Sequence, residues 1–199
     1  MPARADLTAE FVVFTVDLCW LGFLGILIVG KRGAARKETK RDMKSHLGFL
    51  LQCIAYAICF TFHRVNFSPI QPMSKVAEET LAAITITIAL TSVWFCFESA
   101  RTLGKQWALA ARVIEGHELI TSGPYARVRN PIYLAMFGML LGSGFAFSRW
   151  PVILIALVVF MAGTEIRIWS EERLLRAAFD GQFDKYARKV PALFPRILQ

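Results

Sequence analysis

The chain has 199 residues, 55% of them hydrophobic and 19% charged, and a mean hydropathy of +0.46. Ordinary soluble domains are about 45–50% apolar, so composition excludes a soluble globular domain and points to an all-α polytopic membrane protein. The net charge of +8 rests on few charged residues, so the basic side chains must be concentrated in particular places.

A bilayer core about 30 Å thick asks for about 20 apolar residues per helix, with about 17–25 tolerated. Five segments come near this: 9–29, 47–62, 80–100, 132–147 and 151–169. The apolar run of the first, Phe11 to Val29, is preceded by Arg4, Asp6 and Glu10 and contains Asp17, and no small-residue cleavage site follows. It reads as a retained span and not a signal peptide. The second and fourth are short for a full crossing and need polar flanks or a shielded position. The fourth and fifth are separated by Ser148-Arg149-Trp150-Pro151, which predicts a tight helical hairpin with Trp150 at an interface.

The loops between these segments set the orientation. The first loop, the third loop and the tail from Arg167 hold 19 of the 23 basic residues. Lys and Arg mark the cytoplasmic side, so five spans with the N-terminus outside and the C-terminus inside place every basic block on one face. The reading divides the chain into 1–100, three N-terminal transmembrane helices, and 101–199, a core of cytoplasmic loop, helical hairpin and amphipathic cap. In the tail, EERLLRAAFDGQFDKYARKVPALFPRIL predicts a helix stopping at Asp180-Gly181, a second short helix with Phe183 and Tyr186, and an end marked by Pro191 and Pro195. Such helices lie on a membrane surface and cap what the spans enclose.

Cys19, Cys53, Cys59 and Cys96 all fall in apolar runs without a C-x-x-C pair, which indicates small buried hydrophobes and neither zinc nor disulfides. Gly138, Gly142 and Gly144 give small-residue spacing for close helix packing. An ionisable group at the centre of a span costs at least about 2.5 kcal/mol on insertion scales, so Asp17, Glu98 and Glu165 need reasons. Glu98 has Arg101 one turn away and Glu165 has Arg167 nearby, so an interfacial ion pair is expected for each. Asp17 has no such neighbour; it either packs or touches a substrate or a switch.

Chemistry-bearing residues are densest in HELITSGPYARVRNPIY, residues 117–133, and around Glu171-Glu172. No G-x-S-x-G, H-E-x-x-H, Walker loop or strand-linked G-x-G-x-x-G is present. Pro131 lacks an amide donor and disfavours helix at Asn130, so a helix should begin there with unpaired amides forming an anion-binding corner with Arg127 and Arg129. On a continued last helix Arg167 and Glu171 are four residues apart and share a face.

The ordered pattern from His117 to Tyr133, the apolar hairpin, Glu171-Glu172, FDGQFDKY and a closing LFPRI resembles the isoprenylcysteine carboxyl methyltransferase family and its prokaryotic relatives, over residues from about 100 to the C-terminus. Where that family reads Arg-His-Pro-x-Tyr, this chain has Arg129-Asn130-Pro131-Ile132-Tyr133; asparagine hydrogen-bonds but carries no proton charge.

The resemblance implies S-adenosyl-L-methionine bound at the cytoplasmic end of the helices under a C-terminal cover. It implies a cofactor site of His117, Leu119, Gly123, Tyr125, Arg129, Asn130, Pro131, Tyr133, Glu171 and Glu172. A carboxylate such as Glu171 suits the cofactor's amino group, an arginine such as Arg129 its carboxylate, and Tyr125 or Tyr133 its sulfonium. Arg167 is expected to orient an acceptor carboxylate, or else to neutralise Glu171 or Glu165. A lipophilic or lipidated substrate and membrane lipids are the expected partners; nucleic acid is not. The expected location is a bacterial inner membrane with the active face toward the cytoplasm. Two other classes compete: an NADPH-dependent membrane reductase of the sterol type, and a non-catalytic membrane interaction protein.

Overall fold

A computed structural model describes residues 7–32, 38–41, 44–62, 74–104, 112–114 and 119–195. Five long helices make the framework: α1 (Leu7–Arg32), α2 (Lys44–Thr61), α3 (Lys75–Leu103), α4 (Pro131–Phe147) and α5 (Trp150–Phe179), followed by the short α6 (Gly181–Lys189). Of these, α1 over Leu7–Val29, α3 and α5 are each long and apolar enough to cross a membrane, and α4 is a shorter apolar helix. The apolar side chains of α1 and α5 that point outward, among them Phe11, Phe14, Leu21, Leu154 and Val158, are those of helices solvated by lipid. The protein is a polytopic helical membrane protein.

The expected segments are all found as helices, with one extension: α5 continues without a break from the hairpin to Phe179, so the last span and the first tail helix are one rod. It ends at Asp180, whose φ of +44° breaks the helix where the sequence placed the stop. Ser148 ties the turn between α4 and α5 to the end of α2 by donating its hydroxyl to the Cys59 carbonyl at 2.7 Å.

One element was not legible in the charge runs. A strand β1 (Glu38–Arg41), from the connection after α1, pairs antiparallel with β2 (Arg112–Ile114), from the connection after α3. This ribbon holds the first and third loops on the same end of the bundle, the arrangement the basic residues called for.

Small residues decide how closely the helices approach. A Cβ on Gly138 would lie 2.1 Å from Ser92 Oγ, and one on Gly142 3.5 Å from Ala89, so these two glycines seat α4 on α3, whereas one on Gly144 would face Ile153 of α5 at 3.0 Å. A tighter seam joins α2 and α5. A Cβ on Gly163 would meet Gly48 O at 2.7 Å and Leu51 Cβ at 2.9 Å, and one on Gly48 would meet Gly163 O and Arg167 Cγ at 2.6 Å. Backbone obstacles cannot rotate away, so Gly163→Ala is expected to lower stability by about 1–3 kcal/mol. Gly181→Ala, where nothing lies within 4 Å, is expected to leave it unchanged or slightly higher. Thermal unfolding of both variants in one detergent checks the contrast.

The core follows the same stripes. Val12, Val16, Cys19 and Phe23 of α1 pack with Ala89 and Cys96 of α3 and Ala135 and Met139 of α4, and Ala55, Cys59, Leu140, Ala156 and Phe160 form a second cluster. Cys19, Cys59 and Cys96 are buried as expected, whereas Cys53 is exposed. Glu98 does pair with Arg101, at 3.2 Å. Glu165 does not pair with Arg167: two residues apart on a helix they point to different sides, and Glu165 is exposed while Arg167 is buried.

Candidate functional site

The polar residues gather where α2 and α4 begin and α5 ends. Gln52 on α2 donates to Thr164 on α5 at 2.9 Å, and Gly48 packs on Arg167, so α2 and α5 run antiparallel and bring their polar ends together. The start of α4 adds Asn130, Pro131 and Tyr133.

At the centre is Arg167, with 4% of its surface exposed. Its Nε donates to the Tyr133 hydroxyl at 2.8 Å, its Nη1 lies 3.5 Å from Gln52 Oε1, and its Nη2 is 3.8 Å from Glu171 Oε1. The guanidinium also faces the rings of Phe49 at 5.5 Å and Tyr133 at 5.1 Å. Tyr133 in turn donates its hydroxyl to Glu171 Oε1 in a short hydrogen bond. The expected pairing of Arg167 with Glu171 is therefore present, but inside the protein and not as a surface ion pair. The Glu171 side chain keeps 26% of its surface exposed, and no described residue hydrogen-bonds its second oxygen.

Adjacent residues on a helix diverge by about 100°, and the two glutamates accordingly do different things. Glu172 accepts from Arg129 Nε at 2.9 Å and Nη2 at 2.6 Å and from Arg176 at 3.1 Å. Arg129 Nη1 donates to the carbonyls of Ala187, at 3.0 Å, and Val190. Four of the five N–H groups of Arg129 are thus taken by the protein itself.

The neighbouring backbone is used the same way. The Arg129 amide donates to Pro191 O at 2.9 Å and the Asn130 amide to Ala192 O at 3.1 Å, while Asn130 Nδ2 reaches the same Ala192 carbonyl at 3.0 Å. The expected anion corner of free amides is therefore absent at these two residues: the C-terminal segment supplies carbonyls that consume them. Pro131 does open α4, and Asn130 O accepts the amides of Tyr133 and Leu134.

Tyr125, on a short 3-10 turn (Gly123–Ala126), is buried, and its carbonyl accepts the Tyr186 hydroxyl at 2.6 Å. Burial, and then the charge of Glu171, push the Tyr125 phenol well above its ordinary range; burial pushes Tyr186 up to about 12. Both stay protonated donors at neutral pH. Gly123 has φ +59°, and a Cβ there would lie 3.0 Å from Thr102 Oγ1, so glycine is required to fold this turn against α3. Leu119 is half-buried ahead of the turn. His117 lies outside the described residues.

The structure thus brings Tyr125, Arg129, Asn130, Tyr133, Arg167, Glu171 and Glu172 together. It adds Gln52, Phe49 and Tyr186. A lone glutamine inside the apolar run of α2 was the available signal for the first of these. Beside the polar group lies an apolar wall, with Phe137 against Phe160 at 6.2 Å and Phe194 at 5.4 Å between ring centroids. A partly exposed carboxylate beside a tyrosine ring can take an ammonium group; a buried guanidinium beside the ring of Phe49 can hold an anionic head whose tail is lipophilic.

Residues 80–182 match the family profile described as phospholipid methyltransferase. Among curated proteins the chain is similar to the nickel-cobalt-cadmium resistance protein NccN of Alcaligenes xylosoxydans xylosoxydans, 34% identical over 56% of this chain and 53% of that one. It is similar to the cobalt-zinc-cadmium resistance protein CzcN of Cupriavidus metallidurans, 35% identical over 50% and 46%. It is also 32% identical to the protein-S-isoprenylcysteine O-methyltransferase of Schizosaccharomyces pombe, over 45% of this chain and 38% of that one. The match spans about half the length of these relatives or less. The family match covers just over half of the chain and takes in α4, α5 and Tyr125, Arg129, Tyr133, Arg167, Glu171 and Glu172 of the site. The chain belongs to the phospholipid methyltransferase family, the family that includes the isoprenylcysteine carboxyl methyltransferases.

Proposed function

We propose that this protein is an S-adenosyl-L-methionine-dependent methyltransferase of the membrane, acting on a lipophilic acceptor by carboxyl O-methylation of an isoprenylcysteine-like group. In this reading the chain crosses the bilayer five times, with its N-terminus outside and the site at the cytoplasmic face of a bacterial inner membrane, in contact with membrane lipids.

One observation carries the proposal: Glu171 presents a partly exposed carboxylate whose Oε1 takes the Tyr133 hydroxyl and whose second oxygen takes no hydrogen bond from the described residues. That donor set fits the cofactor's ammonium and sulfonium. Glu171 would hold the ammonium, and Tyr125 and Tyr133 the sulfonium face. Arg129 is assigned to the cover and not to the cofactor's carboxylate, because four of its five N–H groups are spent on Glu172 and the C-terminal carbonyls. The bound cofactor supplies an electrophilic methyl group.

The chain's own work is alignment and dehydration. Arg167, fixed by Tyr133 and Gln52, orients the acceptor's carboxylate, and the residues after Phe179 exclude water. An ionised carboxylate has no proton to remove, so no residue is assigned as a base. Positioning of this kind supplies part of the about 7–11 kcal/mol available from ideal orientation. The metal-resistance names of two relatives are not carried over as a metal site: among the described residues no group of three His, Cys, Asp or Glu gathers.

Calorimetry on the detergent-purified protein tests the proposal with S-adenosylmethionine, S-adenosylhomocysteine and NADPH. Saturable binding of the first two is expected, weakened about tenfold or more in Glu171→Gln, which removes a charge-assisted hydrogen bond worth about 1.5–3 kcal/mol. Binding of NADPH alone would move the protein to reductase chemistry. Binding of none of the three would leave a membrane interaction protein on a methyltransferase scaffold.

A further inference from the structure

Asp17 stands at the middle of the 23-residue apolar run Leu7–Val29 of α1. The helix buries Val12, Val16, Cys19 and Phe23 against its neighbours, and Asp17 lies away from them, exposed. It makes no hydrogen bond or ion pair with any described residue. Around it run Phe14, Leu21, Leu24 and Ile28, all exposed; with Asp17 they follow the spacing 3, 4, 3, 4, the seam of two helices that pack side by side.

An apolar stripe alone is satisfied by lipid. A carboxyl in its midst is not, since hydrocarbon offers it neither donor nor acceptor. We propose that this stripe is an interface with a second copy of the chain, in which Asp17 of each protomer hydrogen-bonds Asp17 of its partner. The chemistry selects that occupant. An uncharged carboxyl gives one O–H and takes one hydrogen bond, so two of them facing each other satisfy both, and a residue that complements itself is what a two-fold axis requires. Copies inserted with the same orientation have parallel α1 helices, and their Asp17 residues then lie at the same depth. A single polar residue in such a seam also fixes its register. The proposal is independent of the methyltransferase reading.

Single-molecule photobleaching of labelled protein in lipid vesicles tests it, over a series of protein-to-lipid ratios. The natural chain and Asp17→Asn, whose amide is likewise self-complementary, are expected to bleach in two steps. Asp17→Val is expected to weaken association about tenfold and so to bleach mostly in one step at the same ratio, with unchanged helix content by circular dichroism. One-step bleaching of the natural chain at every ratio, including any case in which a different membrane protein covers the stripe, would overturn the proposal, as would two-step bleaching of Asp17→Val. Oxidative crosslinking, with Cys53 replaced by serine, checks the face if Asp17→Val fails to insert. Leu21→Cys should crosslink to itself, and Val29→Cys, about a quarter turn round the helix, should not; the reverse pattern overturns the assignment.

Discussion

Arg129→Met is expected to destabilise the protein by about 3 kcal/mol and to release the C-terminal segment from the bundle. Both partners of the ion pair are largely buried, with 13% and 9% of their side-chain surfaces exposed, and removing one member of a buried pair leaves the other charged and uncompensated, at about 3–5 kcal/mol. Here Arg176, on the same carboxylate at 3.1 Å, keeps the loss toward the lower end. The double variant Arg129→Met with Glu172→Leu removes both charges and should regain most of the global stability. It should not regain the cover. The carbonyls of Ala187 and Val190 take their donors from Arg129 alone among the described side chains, and no hydrophobic replacement supplies them. Hydrogen exchange separates the two effects: the amides of 181–193 should exchange faster in both variants, while α3 and α4 recover protection in the double one. Equal protection of 181–193 in the natural chain and the double variant would show that the cover is held by packing of Leu193 and Ala192 on Tyr133 and Ile168 and not by Arg129.

How much of this was legible beforehand depends on what kind of force sets each feature. Apolar runs and positive loops report on the bilayer, so the helices, the hairpin and the stop at Asp180-Gly181 could be read directly. The ribbon between Glu38–Arg41 and Arg112–Ile114 could not: neither strand alternates apolar and polar residues, and its pairing is between loops far apart in the chain. Chemical type located the site, since arginines, tyrosines and adjacent glutamates at a helix end are expensive unless used. Assignment within the site needed geometry. Arg129 and Arg167 look interchangeable on paper; one is consumed by Glu172 and backbone carbonyls of the C-terminal segment and the other lies between the rings of Phe49 and Tyr133. Glu171 and Glu172 are separated by a single helical step and fall to the bundle and to the cover. Gln52 stood out only as a lone glutamine in the apolar run of α2, and it took the structure to show that it sets one edge of the central guanidinium.

Arg167→Lys is expected to lower turnover of an S-prenylcysteine acceptor by about 100-fold or more, with little change in the affinity for S-adenosylhomocysteine. Lysine keeps the charge but offers a single nitrogen where the guanidinium reaches Tyr133 with Nε and Gln52 with Nη1, so the group proposed to orient the acceptor is no longer held in place. Misdirected donors at a developing reaction centre cost about 3–4 kcal/mol in comparable sites, which is the size of the expected fall. If Arg167 orients the acceptor only while the methyl group moves, kcat carries the loss; if it binds the ground state equally, the Michaelis constant for the acceptor rises and kcat stands. The competing role is neutralisation of Glu171. An ammonium at 167 still neutralises a carboxylate one turn away, so under that role Arg167→Lys would turn over nearly as fast as the natural chain and Arg167→Leu would lose cofactor affinity and stability together. Kinetics of the two variants, alongside binding of S-adenosylhomocysteine to each, decide between an arginine that acts on the acceptor and one that keeps Glu171 ionised.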